Sequence, residues 1–319
     1  MRTWQPSPAI VAEVHIKRGF VRQQLAEYDA ALADYRRARA IGERIGDQFI
    51  VLQSLTQRIN LAFVTGDLDQ GLAAGEQVLG HPDIGRYQFL TAMACNSLGN
   101  IHLRRGQYEL AEGRFTRALE INRGLGEELA AARNESNLAN ISAIAGDNVR
   151  ALAMYASALS AFEKFDDTYS TAHALTSMAQ AQELTGDLAG ARRSLNRALQ
   201  IRVAIQDYRG QAICWLSLAN LDNACGRHQQ ALRDIEMGRD LSLAHHMKDP
   251  YRWATISGHF ADTYYCLQRW EDARRAVEEM QRIAGASGFV ELVAQGHIMQ
   301  GRILVRTGAG DEGLAAIRR

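Results

Sequence analysis

Apolar residues recur three and four apart along almost the whole chain, the spacing of one face of an α-helix. The stretch from Ala92 to Arg123 shows the unit. AMACNSLGNIHLRRG predicts a first helix, Gln107 and Tyr108 follow the glycine of a turn, and ELAEGRFTRALEINR predicts a second helix. Each predicted helix is about 17 residues, roughly 25 Å at 1.5 Å per residue. The turn glycine ends the first helix because a residue without Cβ takes the left-handed cap freely. In sister units Asp67, Asp147 and Asp187 stand where a side-chain oxygen can cap the second helix.

That glycine recurs as Gly66, Gly106, Gly146, Gly186 and Gly226, 40 residues apart each time. Ala26 holds the register before them, and Gln268 and Gly308 hold it after a two-residue slip. Five positions after each turn comes a small residue: Ala31, Gly71, Ala111, Ala151, Ala191, Ala231, Ala273 and Gly313. Seven positions before comes another, Gly19, Gly99, Ala139, Ala179, Ala219, Ala261 and Gly301, broken by Ile59. Small residues in fixed register let two helices approach closely. A period in this range overrides the two-domain prior that 319 residues would suggest, because each hairpin buries its apolar face only on its neighbours. The expectation is one all-α array of eight hairpins, at about 8–47, 48–86, 87–127, 128–167, 168–207, 208–249, 250–289 and a shorter 290–319.

These residues resemble the tetratricopeptide repeat. In the third unit the family's small residue falls on Gly99 after Leu98, its turn aromatic on Tyr108, its second-helix alanine on Ala111, its aromatic on Phe115 and its second alanine on Ala118. Unit one offers Gly19, Tyr28, Ala31, Tyr35 and Ala38, and unit six offers Trp215, Ala219, Ala231 and Ile235. The period of 40 and the missing proline near the end of the second helix depart from the usual 34-residue unit. The chain is similar to the long-repeat subgroup found in kinesin light chains, cell-polarity adaptors, peptide-sensing bacterial regulators and sensor arrays of the MalT type. The resemblance implies a right-handed α-α superhelix with the first helices lining a concave groove.

In that family the residue after the first helix's small position points into the groove. Here it reads Phe20, Asn60, Asn100, Asn140, Gln180, Asn220, Asp262 and Arg302. An amide offers both donors and an acceptor, so it can pair with the backbone of an extended peptide without reading its sequence. First helices about 10 Å apart and a chain advancing about 3.3 Å per residue would hold roughly 12 to 15 residues. The same amides could instead bond a neighbouring helix. Flanking positions differ between units and would supply specificity: Gln53, Met93, Arg133 and His173 before the ladder, Arg104, Ile144 and Leu184 after it. Arg133 could seat a carboxylate.

Lysine plus arginine equals aspartate plus glutamate at 36 each, so no global field draws the chain to nucleic acid or an anionic membrane. Cys95, Cys214, Cys225 and Cys266 form no CxxC pair and read as small buried thiols of a cytoplasmic protein. No leader or run of about 18 apolar residues is present. GxGxxG at Gly308, Gly310 and Gly313 falls on a hairpin turn without the strand that motif needs. No phosphate loop, nucleophile elbow or zincin motif occurs, so no enzyme, cofactor or metal is expected. The arginines at 36, 37, 39, 192 and 193 are expected on the solvated outer face.

Two units are irregular, the second ending in Leu79-Gly80-His81-Pro82-Asp83 and the sixth carrying the extra residues between His245 and Pro250. Ser7 and Pro8 make a good helix start, with Trp4 folding over the first hairpin. The last second helix is short and leaves Leu314 and Ile317 without cover, which suggests a cut from a longer protein or association with a partner or second copy. The favoured reading is a protein- or peptide-binding module, a sensor or scaffold of a signalling or transcription regulator. The alternatives are a self-associating scaffold with no specific groove ligand, and a small-ligand receptor using Phe20, Phe63 and Tyr265.

Overall fold

The structure, a computed structural model, describes residues 6–247 and 249–318. The expectations for Trp4, Lys248 and Arg319 lie outside them. The described residues form sixteen α-helices and no strand. They run α1 (Pro8–Gln24), α2 (Tyr28–Ile45), α3 (Gln48–Thr65), α4 (Leu68–Leu79), α5 (Gln88–Arg104), α6 (Tyr108–Leu125), α7 (Glu128–Ile144) and α8 (Asn148–Lys164). Then come α9 (Thr168–Leu184), α10 (Leu188–Ala204), α11 (Tyr208–Ala224), α12 (His228–Ala244), α13 (Pro250–Cys266), α14 (Trp270–Ser287), α15 (Val290–Arg306) and α16 (Gly310–Ile317). The chain forms two compact units, Met1–Ala161 and Phe162–Arg319. In each, odd-numbered first helices pack on the following second helix and touch the next first helix, as α3 does α5 and α11 does α13.

All eight turn positions are left-handed, with φ of 60° at Ala26, 85° at Gly66, 70° at Gly106, 85° at Gly146 and Gly186, 73° at Gly226, 57° at Gln268 and 94° at Gly308. Asp67, Asp147 and Asp187 accept the backbone N–H of Gln70, Arg150 and Gly190 at 3.3, 3.1 and 2.8 Å, so the expected caps form. A second left-handed series, absent from the sequence reading, closes the connections between hairpins. Gly46, Gly126, Asp166, Gln206, His246 and Gly288 carry φ of 73°, 74°, 53°, 56°, 50° and 72°. The second unit lacks it: α4 stops at Leu79, and a 3-10 turn over Ile84–Arg86 leads into α5.

The small residues work as expected. A Cβ on Gly19 would stand 2.6 Å from the Tyr35 ring, and one on Gly99 would stand 2.6 Å from the Phe115 ring. Both rings are fully buried, each worth roughly 1.5–3 kcal/mol of burial. The exception at Ile59 is compensated, because the register that elsewhere holds the ring holds Gly75, and Leu98 fills the space over it.

A third register joins the two helices of a hairpin. Residues twelve apart face each other as Arg22 and Asp34, Ser142 and Met154, Gln182 and Ser194, with contacts of 2.7, 4.0 and 2.8 Å. Asp34, with no exposed surface, also takes His15 at 2.8 Å and the Arg18 guanidinium at 2.6 and 2.9 Å. The Arg18 hydrogen bond, with His15 and Arg22 adding, holds its carboxyl far below the usual carboxylate range. In the sixth hairpin the pair is Asp222 and Asp234, both buried. Asp222 takes Arg192 and Arg227 on one oxygen while its second oxygen is buried without a partner. Asp234 accepts Gln230 at 2.7 Å, and burial beside Asp222 pushes its carboxyl up to about 6.

Two expectations are corrected. Cys266 is exposed and Cys225 half-buried, since the first ends α13 on the face of the first helices and the second caps α11; Cys95 and Cys214 are buried as expected. Arg192 is not a solvated outer arginine, because Asp222 draws it inward.

Candidate functional site

The amide ladder lies on the first helices, but the structure divides it by what each amide already does. Asn60 accepts the Ser97 hydroxyl from α5 at 2.5 Å, and Asn140 accepts the Tyr155 hydroxyl from α8 at 2.6 Å. Both acceptors are therefore spent on joining helices. Asn100 is half-buried, and Gln180 and Asn220 are exposed; none of the three makes a side-chain hydrogen bond within the described residues. Asp262 faces Arg302 at 3.8 Å, a loose and exposed pair, and Arg302 lies over the Tyr265 ring at 4.5 Å.

Within Met1–Ala161, α3, α5, α6 and α7 enclose a cleft of about 230 Å³. It brings Asn60, Met93 and Arg133 together, as the register expected. Its floor is an amide chain that the sequence reading did not find. Asn122 donates to Asn134 at 2.7 Å, and Asn134 and Asn137 both donate to Asn96, at 2.9 and 3.1 Å. Asn134 is 1% exposed, so these amides hold α5, α6 and α7 in register and are satisfied without a ligand. Arg104 donates to the Phe63 carbonyl at 2.8 Å and lies over the Phe63 ring, closing the end of α3. It serves the framework where the sequence reading placed it in the groove.

Within Phe162–Arg319, α9, α10 and α11 enclose a cleft of about 380 Å³. Gln180 and Asn220, with Ser177 and Ser217 one turn earlier on the same helices, line it together with Thr176 and Glu183, while Leu184 and Ile213 form its apolar part. Leu184 is 63% and Ile213 39% exposed, so this wall is open to a ligand. His173 stands on the same face of α9, accessible to water yet crowded by surrounding protein. That crowding, with the charge of Arg202, holds its imidazole below its ordinary value. Arg202 itself is buried and reaches the Thr176 hydroxyl at 3.2 Å beneath the cleft. On α13 the half-buried His259 is pushed down to about 4 by loss of water, and burial likewise raises the Asp262 carboxyl.

GxGxxG falls at the turn from α15 to α16, as expected. Among the described residues, no group of three His, Cys, Asp or Glu is placed to hold a metal, and no helix is long and apolar enough to cross a membrane.

Helix pairs with small residues at their crossings and left-handed turns at a fixed period define an all-α repeat protein. Residues 89–164 and 128–203 match the model of the tetratricopeptide repeat family, and hairpins of the same build precede and follow them. No curated protein matches its sequence. Its fold is similar to that of a Rap protein complexed with Competence and Sporulation Factor, at a TM-score of 0.77 and 12% identity over 98% of this chain and 85% of that one. It is also similar to the apo form of the quorum sensor NprR from B. thuringiensis, at 0.75 and 14% over 98% and 87%. A third neighbour is a signal transduction ATPase with numerous domains from Pyrococcus horikoshii, which has a tetratricopeptide repeat sensor, at 0.64 and 15%. There the match covers 96% of this chain and 47% of that one. At these identities the likeness is one of fold.

Proposed function

We propose that this chain is a peptide- or protein-segment receptor of a signalling system, with the first-helix face of residues 162–319 as its principal binding surface. The observation that carries this reading is the cleft in which Gln180 and Asn220 stand exposed, without internal partners, between two serines and an open apolar wall. Unsatisfied amides at a helical pitch suit a peptide backbone, and the apolar wall gives a side chain somewhere to be buried. In the other unit Asn100 likewise has no side-chain partner among the described residues, whereas Asn60, Asn140 and Arg104 serve that unit's framework. The fold neighbours agree in kind, one being bound to Competence and Sporulation Factor and another being a quorum sensor.

The reading is tested with pools of capped nonapeptides. Replacing Gln180 and Asn220 together with alanine should weaken retention at least about tenfold while moving stability by no more than about 0.5 kcal/mol, as is usual for surface sites. Retention equal to that of the parent chain would contradict it. Light scattering on the same samples separates the scaffold alternative, which requires a stable oligomer that ignores every peptide.

A further inference from the structure

Glu183 is the one group in the cleft of α9–α11 whose position works against it. It stands half-buried in the last turn of α9, where the helix dipole presents its negative end and disfavours a carboxylate. No ion pair or side-chain hydrogen bond within the described residues relieves it. Its neighbours do not help: Gln182 is taken by Ser194 at 2.8 Å, and the Thr185 hydroxyl is taken by the carbonyls of Ala181 and Gln182 at 3.1 and 3.0 Å. Burial accordingly raises its carboxyl. The same cleft offers the apolar sides of Leu184 and Ile213 and the free amides of Gln180 and Asn220.

We infer that this cleft receives a lysine or arginine side chain of an extended segment, its methylene stem against Leu184 and Ile213 and its charged head at Glu183, while Gln180 and Asn220 hold the adjoining backbone. The fit is chemical on three counts. A cation at the end of α9 is favoured by both the carboxylate and the dipole. A long basic side chain combines an apolar stem with a polar head, which matches an apolar wall ending in an acid. An incoming cation removes a desolvation cost that the free protein already bears, so the preference is set before the ligand arrives. The inference rests on the groove reading given above and specifies its ligand.

The test uses the full chain and nonapeptides of the form X4-Z-X4, acetylated and amidated, with X drawn from Gly, Ser, Ala and Leu. Z is lysine, arginine, norleucine or glutamate, and a fifth pool repeats norleucine with a free N-terminus. The lysine and arginine pools should bind about tenfold more tightly than norleucine and the glutamate pool more weakly. That preference should vanish in Glu183→Gln, whose thermal midpoint at pH 7 should not fall below that of the parent. Equal binding of all capped pools, or a preference that survives Glu183→Gln, would overturn the cation assignment and leave the groove reading standing. Tight binding of the uncapped pool alone would replace the side chain by a terminal amine and overturn it as stated. Binding of no pool at all would overturn both.

Discussion

Asp34 and Asp234 occupy the same register of their hairpins and answer to opposite electrostatics. Three cationic or donor groups surround Asp34, whereas Asp234 is buried against a second carboxylate. Folded Asp234 keeps its proton up to about pH 6 while the unfolded chain releases it near 3.8, so the folded state binds more protons in that window. Stability from this group is therefore greatest at low pH and falls as pH rises through the window, by up to about 3 kcal/mol. Asp234→Asn can keep Gln230 and donate to Asp222 without titrating. Thermal melts at pH 4 and 7 should show it gaining on the parent at pH 7 and matching it at pH 4; an equal difference at both would mean the pair shares no proton. For Asp34 the sign reverses, because its depressed carboxyl stabilises above about pH 4 and the contribution is lost as acid protonates the unfolded chain. The sequence contained these pairs at a spacing of twelve, but residues twelve apart meet only once two helices fold back, so the pairing was not legible from helical periodicity.

At the scale of the element, turn chemistry separates what was readable from what was not. The turns within hairpins announced themselves because glycine fills six of the eight, five of them at a strict period of 40. The turns between hairpins have the same left-handed backbone but hold Gly46, Gly126, Asp166, Gln206, His246 and Gly288, so glycine fills only three of the six and never in consecutive units. A left-handed residue with a Cβ costs about 1–2 kcal/mol. Gln206→Gly should recover part of it, on the order of 0.5–1 kcal/mol, read as a higher urea midpoint, and Gly126→Ala should lose a similar amount. A lower midpoint for Gln206→Gly would show that its side chain holds the connection. Helix faces were legible on the same terms. The ladder register placed Gln180 and Asn220 in one register, and they line one cleft, while the partners of Asn60 and Asn140 lie on other helices and could not be seen. Glu183 looked like any solvated helical acid until its surroundings were known.

For the whole molecule, repetition supplies a scaffold and variation supplies a site. The two units share hairpin geometry, yet the ladder amides Asn60 and Asn140 of Met1–Ala161 are consumed in holding helices together while the ladder amides Gln180 and Asn220 of Phe162–Arg319 are left open. The account's central claim is that segments bind on the first helices of the second unit. It is tested most directly by placing p-benzoylphenylalanine at Ser217, which lines the open cleft, or at the exposed Arg193 on α10, and irradiating each with the capped lysine nonapeptide pool. The account predicts cross-links from position 217, reduced by replacing Gln180 and Asn220, and background alone from 193. Cross-links from 193 equal to or above those from 217 would contradict it.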